Sequence, residues 1–174
     1  WYAKTYGKGA FTYSDDWRGF NCPSWALIEV RTGGKNDRRE DIFMNCLIDA
    51  VWEKEGDHPF YFIGTSVEGE KEEGKSLRNN EIAHALFTVD ADYENSASEL
   101  LTAWAQGGDQ GEFNKASQVL AEMGYHASTI VDELHAYCAT GLCEELEGVV
   151  SKKLMKPFKK LFQEYKAKSE KGKK

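Results

Sequence analysis

Arg78-Asn79-Asn80-Glu81-Ile82-Ala83-His84-Ala85-Leu86-Phe87 is the run on which the reading of this 174-residue chain turns. Ser76 can cap a helix that carries the run to Phe87. Helical spacing sets Asn80 and His84 one turn apart on one face, with Glu81 beside them. Ile82, Leu86 and Phe87 are then free to pack into a core. Just upstream, Pro59 opens a strand over Phe60-Tyr61-Phe62-Ile63-Gly64, and Glu68 to Lys75 forms a charged, glycine-containing loop.

A second informative run is Asp132-Glu133-Leu134-His135-Ala136-Tyr137. It falls on a later helix, capped by Ser128 and ending near Ala139. Imidazole and carboxylate are the side chains that divalent transition metals take up. A glutamate one position past the first of two helical ligands is placed to remove a proton from water, as in H-E-x-x-H. Glu133 can supply a ligand from the separate helix. Ala136 puts a small residue one turn on, and Tyr137 can donate a hydrogen bond to a developing oxyanion.

Together with Met123-Gly124-Tyr125, these runs resemble a group of zincin-like metallopeptidases whose pattern is H-E-I-A-H-A-L-[FY] followed by D-E-[IL]-Q-A-Y. The resemblance covers roughly residues 60–140. It implies a zincin fold, zinc held by His84 and Glu133, Glu81 as the base, and a peptide or protein as substrate or partner. One position departs: Asn80 stands where the first zinc-binding histidine belongs. An amide oxygen is neutral, hard and weakly basic, a poor substitute for imidazole. Three readings follow. The chain is a metal-dependent hydrolase whose site is completed by Asn80 or by another group such as Asp132, His126 or His135. Alternatively it is an inactive zincin-like scaffold serving as a protein-binding module. A third reading takes Glu81-x-x-His84 and Asp132-x-x-His135 as the two carboxylate–histidine pairs of a di-iron bundle, with Glu99 and Glu122 as further carboxylates.

The remaining chain fixes the setting. Gly9 to Tyr13 and Trp25 to Arg31 read as strands, and the segment from Asp15 to Ser24 as a structured loop anchored by Trp17 and Phe20. Asp37 caps a helix to about Lys54 whose apolar face includes Cys46. Helices follow over Asp92 to Trp104, Glu112 to Met123 and Ser151 to Lys166, the first two separated by a glycine-rich break. This order predicts an α+β class, a strand-rich first half and a helical second half, as a single domain over 1–166. Residues 167–174 read as a basic disordered tail.

The net charge is −7, and residues 151–174 hold ten lysines against two glutamates, so the first 150 residues are strongly acidic. Such a body is not a nucleic-acid surface. The basic last helix is amphipathic, suited to docking on its own domain or contacting a partner. No apolar stretch reaches transmembrane length. Four cysteines without a CxxC pair argue against a zinc ribbon; Cys138 and Cys143 can pair in an oxidising compartment, whereas reduced thiols point to a cytoplasmic setting. Cys22 lacks an obvious histidine to activate it as a nucleophile.

Overall fold

A computed structural model describes residues 8–9, 19–25, 39–55, 58–65 and 75–171. In chain order these form strand β1 (Gly19–Pro23), helix α1 (Arg39–Glu55), strand β2 (Tyr61–Thr65) and helices α2 (Lys75–Val89), α3 (Ala91–Gln106), α4 (Gln110–Glu122), α5 (Ile130–Thr140) and α6 (Lys152–Lys171). A single 3-10 turn, Glu144–Leu146, lies between α5 and α6. The class is α+β: mostly helix, with one small antiparallel sheet.

The sheet pairs β1 with β2 so that Asn21 faces Ile63 and Pro23 faces Tyr61. Tyr61, Phe62 and Ile63 are strong strand formers, and that strand lies one residue past its expected start. β1 is a different case. Its sequence, Gly-Phe-Asn-Cys-Pro, has little strand propensity and reads as loop. It is a strand because β2 pairs with it, and Pro23, which has no N–H to give, sits at its end. Beyond it Ser24 donates its N–H to the Phe60 carbonyl at 2.9 Å. The expected strand beginning at Trp25 is corrected at its first residue: Ser24 and Trp25 are already helical. Residues 26–31, Ala10 to Tyr13, Asp37 and Trp17 lie outside the described residues.

α2 and α5 pack side by side, and α5 also packs against α6, so α5 is the central helix of the bundle. Both strands lie against α2. The core joins Ala83 and Leu86 of α2, Tyr93, Ala97, Leu101 and Trp104 of α3, and Leu134, Ala136 and Cys138 of α5. α6 closes it with Met155, Phe158 and Phe162. The apolar stripe of α6 is therefore spent on its own domain, and most of its lysines are exposed, while half-buried Lys166 donates to Asn79 at 2.6 Å. Pro157 is the sixth residue of α6, past the first turn, and having no N–H it leaves the Lys153 carbonyl without its usual helical donor.

Several helix ends differ from expectation: α2 begins at Lys75, so Ser76 lies inside it, and Thr129 in place of Ser128 is the residue before α5. α3 begins at Ala91 because Asp90 caps it, accepting from the backbone N–H groups of Asp92 and Tyr93. α6 continues to Lys171, into the segment expected to be disordered. There Lys168 pairs with Glu164 at 3.0 Å and stands over the Tyr165 ring, which holds the last turns. Cys46, expected on a packed apolar face, is exposed.

Candidate functional site

α2 and α5 bring the two sequence runs together. His84 and Glu81 project from α2, and Asp132 and Glu133 from the first turn of α5. His84 is almost wholly buried, with Nε2 3.6 Å from Glu133 Oε2 and Nδ1 2.9 Å from Asp132 Oδ2. The Nδ1 contact is close but poorly aligned, and Nδ1 has no other partner. It is charge attraction more than a hydrogen bond.

Asp132 also faces His135, with Oδ1 3.5 Å from His135 Nδ1. His135 is fully buried, stacked on Phe87 at 4.7 Å between ring centroids. Its Nδ1 lies 3.3 Å from the Asp132 carbonyl and its Nε2 2.8 Å from the Tyr93 hydroxyl. With Nδ1–H directed at that carbonyl, Nε2 is the acceptor and Tyr93 the donor. His135 is thus a core histidine whose two ring nitrogens are both occupied.

Glu81 is held from the sheet. Asn21 of β1 donates its amide Nδ2 to Glu81 Oε2, and the Asn21 carbonyl accepts from the Tyr61 hydroxyl at 2.7 Å. This clamp uses two residues that no spacing argument singles out. Asn21 lies sixty positions before Glu81, and only the pairing of β1 with β2 brings it there.

Asn80 sits one turn before His84 and donates Nδ2 to Thr140 Oγ1 at 3.4 Å. The Thr140 hydroxyl gives its own proton to the Ala136 carbonyl at 2.8 Å, so it can only accept from Asn80. The Asn80 amide group is thereby turned to α5, and its oxygen is left free of that contact. Tyr137 shares a hydrogen bond with Tyr125, hydroxyl to hydroxyl at 2.9 Å. Burial pushes both phenols up, Tyr125 to about 12, and the Glu133 charge adds to the rise. Both are neutral hydrogen-bonding groups beside Glu133.

The charges follow from this packing. Burial disfavours the His84 imidazolium, but Asp132, Glu133 and Glu81 outweigh it and raise the His84 pKa. Burial likewise works against the Asp132 carboxylate, which His135 and His84 nevertheless hold below its ordinary value. Glu133 is pushed up to about 7, chiefly by burial, with Asp132 and Glu81 adding to the rise and His84 opposing it. His135 is lowered, first by burial, and stays neutral. Three carboxylates thus surround one imidazole.

The other candidate ligands stand apart. His126 is exposed and bonded to Ser128. Glu99 and Glu122 are exposed on α3 and α4. Cys22 contacts the Pro23 carbonyl, and burial raises its thiol, the opposite of what a nucleophile needs. Cys138 is buried and free, as is half-buried Cys143.

The residues at the centre partly fit a metal. Two ligands of a tetrahedral zinc site, each at its usual bond length, stand about 3.4 Å apart. The His84 Nε2 to Glu133 Oε2 separation of 3.6 Å is close to that edge. A carboxylate on the far nitrogen, as Asp132 is on Nδ1, is the usual companion of a metal-binding histidine. Asn80 does not add a third strong donor, and among the described residues no group of three or more histidines, cysteines and carboxylates is arranged to enclose an ion. No protein family, curated protein or solved structure matches the chain.

Proposed function

We propose that the chain is a metal-dependent hydrolase of zincin type, acting on peptide bonds. His84 and Glu133 would hold a divalent metal, zinc by their chemistry, with the Asn80 oxygen as a weak third donor. Such a metal polarises a carbonyl and lowers the pKa of water. Glu81 takes a proton from the attacking water, and the Asn21 amide keeps its carboxylate aimed at the site. Asp132 orients the His84 ring. Tyr137, paired with Tyr125, donates to the oxygen that gains charge.

The observation that carries this reading is the approach of His84 Nε2 to Glu133 Oε2 across two helices. The test is hydrolysis of a mixed peptide library by the full chain with zinc, cobalt or manganese, beside Glu81→Gln. Metal-dependent cleavage lost in Glu81→Gln supports the reading. No cleavage with any of the three metals removes it.

The hydrogen bond from Asn80 to Thr140 favours a second reading, a zincin-like scaffold without catalysis that binds a protein partner. There the Tyr93–His135–Asp132–His84 chain of contacts stabilises the bundle on its own. Asn80→His separates the two. Cleavage appearing only in that variant assigns the natural chain to the inactive form. The di-iron reading lacks support, since Glu99 and Glu122 point to solvent and His135 is occupied by Tyr93.

A further inference from the structure

A groove of about 1190 Å³ runs between α6 and the 141–150 segment, at the edge of the core. Its apolar lining is Leu142, Val150, Met155 and Pro157. Val150 and Met155 are 5% and 7% exposed, so this floor is fixed by the core behind it. Gly148 holds a φ of +78° in the wall, and a Cβ there meets nothing within 4 Å. The backbone wall is open on that side.

Lys152, Lys156, Lys159 and Lys160 also line the groove, against a single acidic residue, Glu147. None of these four lysines is held in an ion pair among the described residues; the two lysine pairs on this helix belong to Lys153 and Lys168. Four lysines of α6 without an ion-pair partner among the described residues therefore line a partly apolar groove on a chain whose net charge is −7.

From this we infer a ligand site for a small anionic amphiphile, a carboxylate or phosphate head on an apolar body. The head meets the lysines and the body lies on Leu142, Val150 and Met155. Size supports an organic ligand over a bare ion, since the groove, at about 1190 Å³, is larger than the roughly 300–1,000 Å³ of ordinary small-molecule pockets. Charge supports a small ligand over an extended polyanion or an anionic bilayer. Either of those would press on the acidic body as well as the groove, and that contact is repulsive. The inference is independent of the chemistry between α2 and α5.

The probe is laurate, kept below its micelle concentration and titrated calorimetrically into the full chain, with amide NMR shifts recorded in parallel. Saturable one-to-one binding is expected, with shifts at Gly141, Leu142, Gly148 and Val150. The charge reversal Lys156→Glu with Lys160→Glu changes two exposed side chains and leaves the core intact. It should weaken laurate roughly tenfold, the scale of two partly exposed charge contacts. Acetate and dodecanol, each lacking one half of the ligand, should bind at least about tenfold more weakly than laurate. The inference is overturned by no saturable binding, or by laurate binding unchanged in the double variant. It is equally overturned if acetate matches laurate, or if phosphatidylglycerol vesicles or an acidic peptide bind in the groove more tightly than free laurate.

Discussion

Asp132 is the residue on which the site's electrostatics converge, because among the described residues it is the one carboxylate that faces both His84 and His135. Asp132→Ala leaves two buried imidazoles without their shared anion. It should cost about 2–3 kcal/mol of stability in denaturant unfolding, less than a fully buried pair because Asp132 keeps some exposure. The same variant should move the His84 imidazole titration down in NMR. An unchanged His84 titration would mean that Asp132 does not hold its charge. Glu133 gives a second residue-level expectation. Its folded pKa of about 7 lies above its ordinary 4.5, so the folded state binds the proton more tightly than the unfolded chain does. Its contribution is complete below pH 4.5 and fades as pH rises through 7, by up to ~3 kcal/mol. His135, lowered from 6.5, opposes the slope on the acid side of that value. In chelator, stability should therefore fall between about pH 5 and 7, and Glu133→Gln should flatten the fall. A slope that survives Glu133→Gln places its source elsewhere.

At the scale of elements, α3 and α5 are tied by a single polar contact through the core. Tyr93→Phe removes the hydroxyl that satisfies His135 Nε2 and leaves that nitrogen buried without a partner. The expected loss is about 1–3 kcal/mol, with the fold retained. Asp90→Ala removes both side-chain bonds at the start of α3 and should cost about 1 kcal/mol. Thermal melts of the two variants order the effects, Tyr93→Phe the larger. A neutral Tyr93→Phe would show that His135 finds another donor. The elements also show what one sequence can and cannot reveal. α2, α3, α4 and α5 were legible because their apolar positions repeat at helical spacing and a glycine-rich break separates α3 from α4. β1 was not legible, since Gly19, Asn21 and Pro23 carry no strand signal and the partner strand that recruits them lies some forty positions on. The last turns of α6 were misjudged because lysine density reads as disorder, whereas Lys168 pairs with Glu164 within the helix.

For the molecule as a whole, the same division holds at the site. His84, Glu81 and Glu133 were legible from residue type and spacing, because each helix announces which face it shows. Asn21, Tyr61 and Thr140 were not, since their part depends on a strand pairing and a helix crossing that no local pattern encodes. His135 was read as an optional ligand, and only the Phe87 stack and the Tyr93 contact make it a core residue. No helix among the described residues is long and apolar enough to cross a membrane. The bundle instead spends the apolar face of α6 on closing the core that braces α5, and through α5 the position of Glu133.

The most direct test of a metal between His84 and Glu133 is calorimetric titration of the chelator-stripped full chain with zinc, beside His84→Ala and Asn80→His. The expected result is one weak site per chain, lost in His84→Ala and tightened at least about tenfold in Asn80→His, where imidazole replaces an amide oxygen. A natural chain that takes up no zinc, or takes it up equally well in His84→Ala, contradicts the assignment.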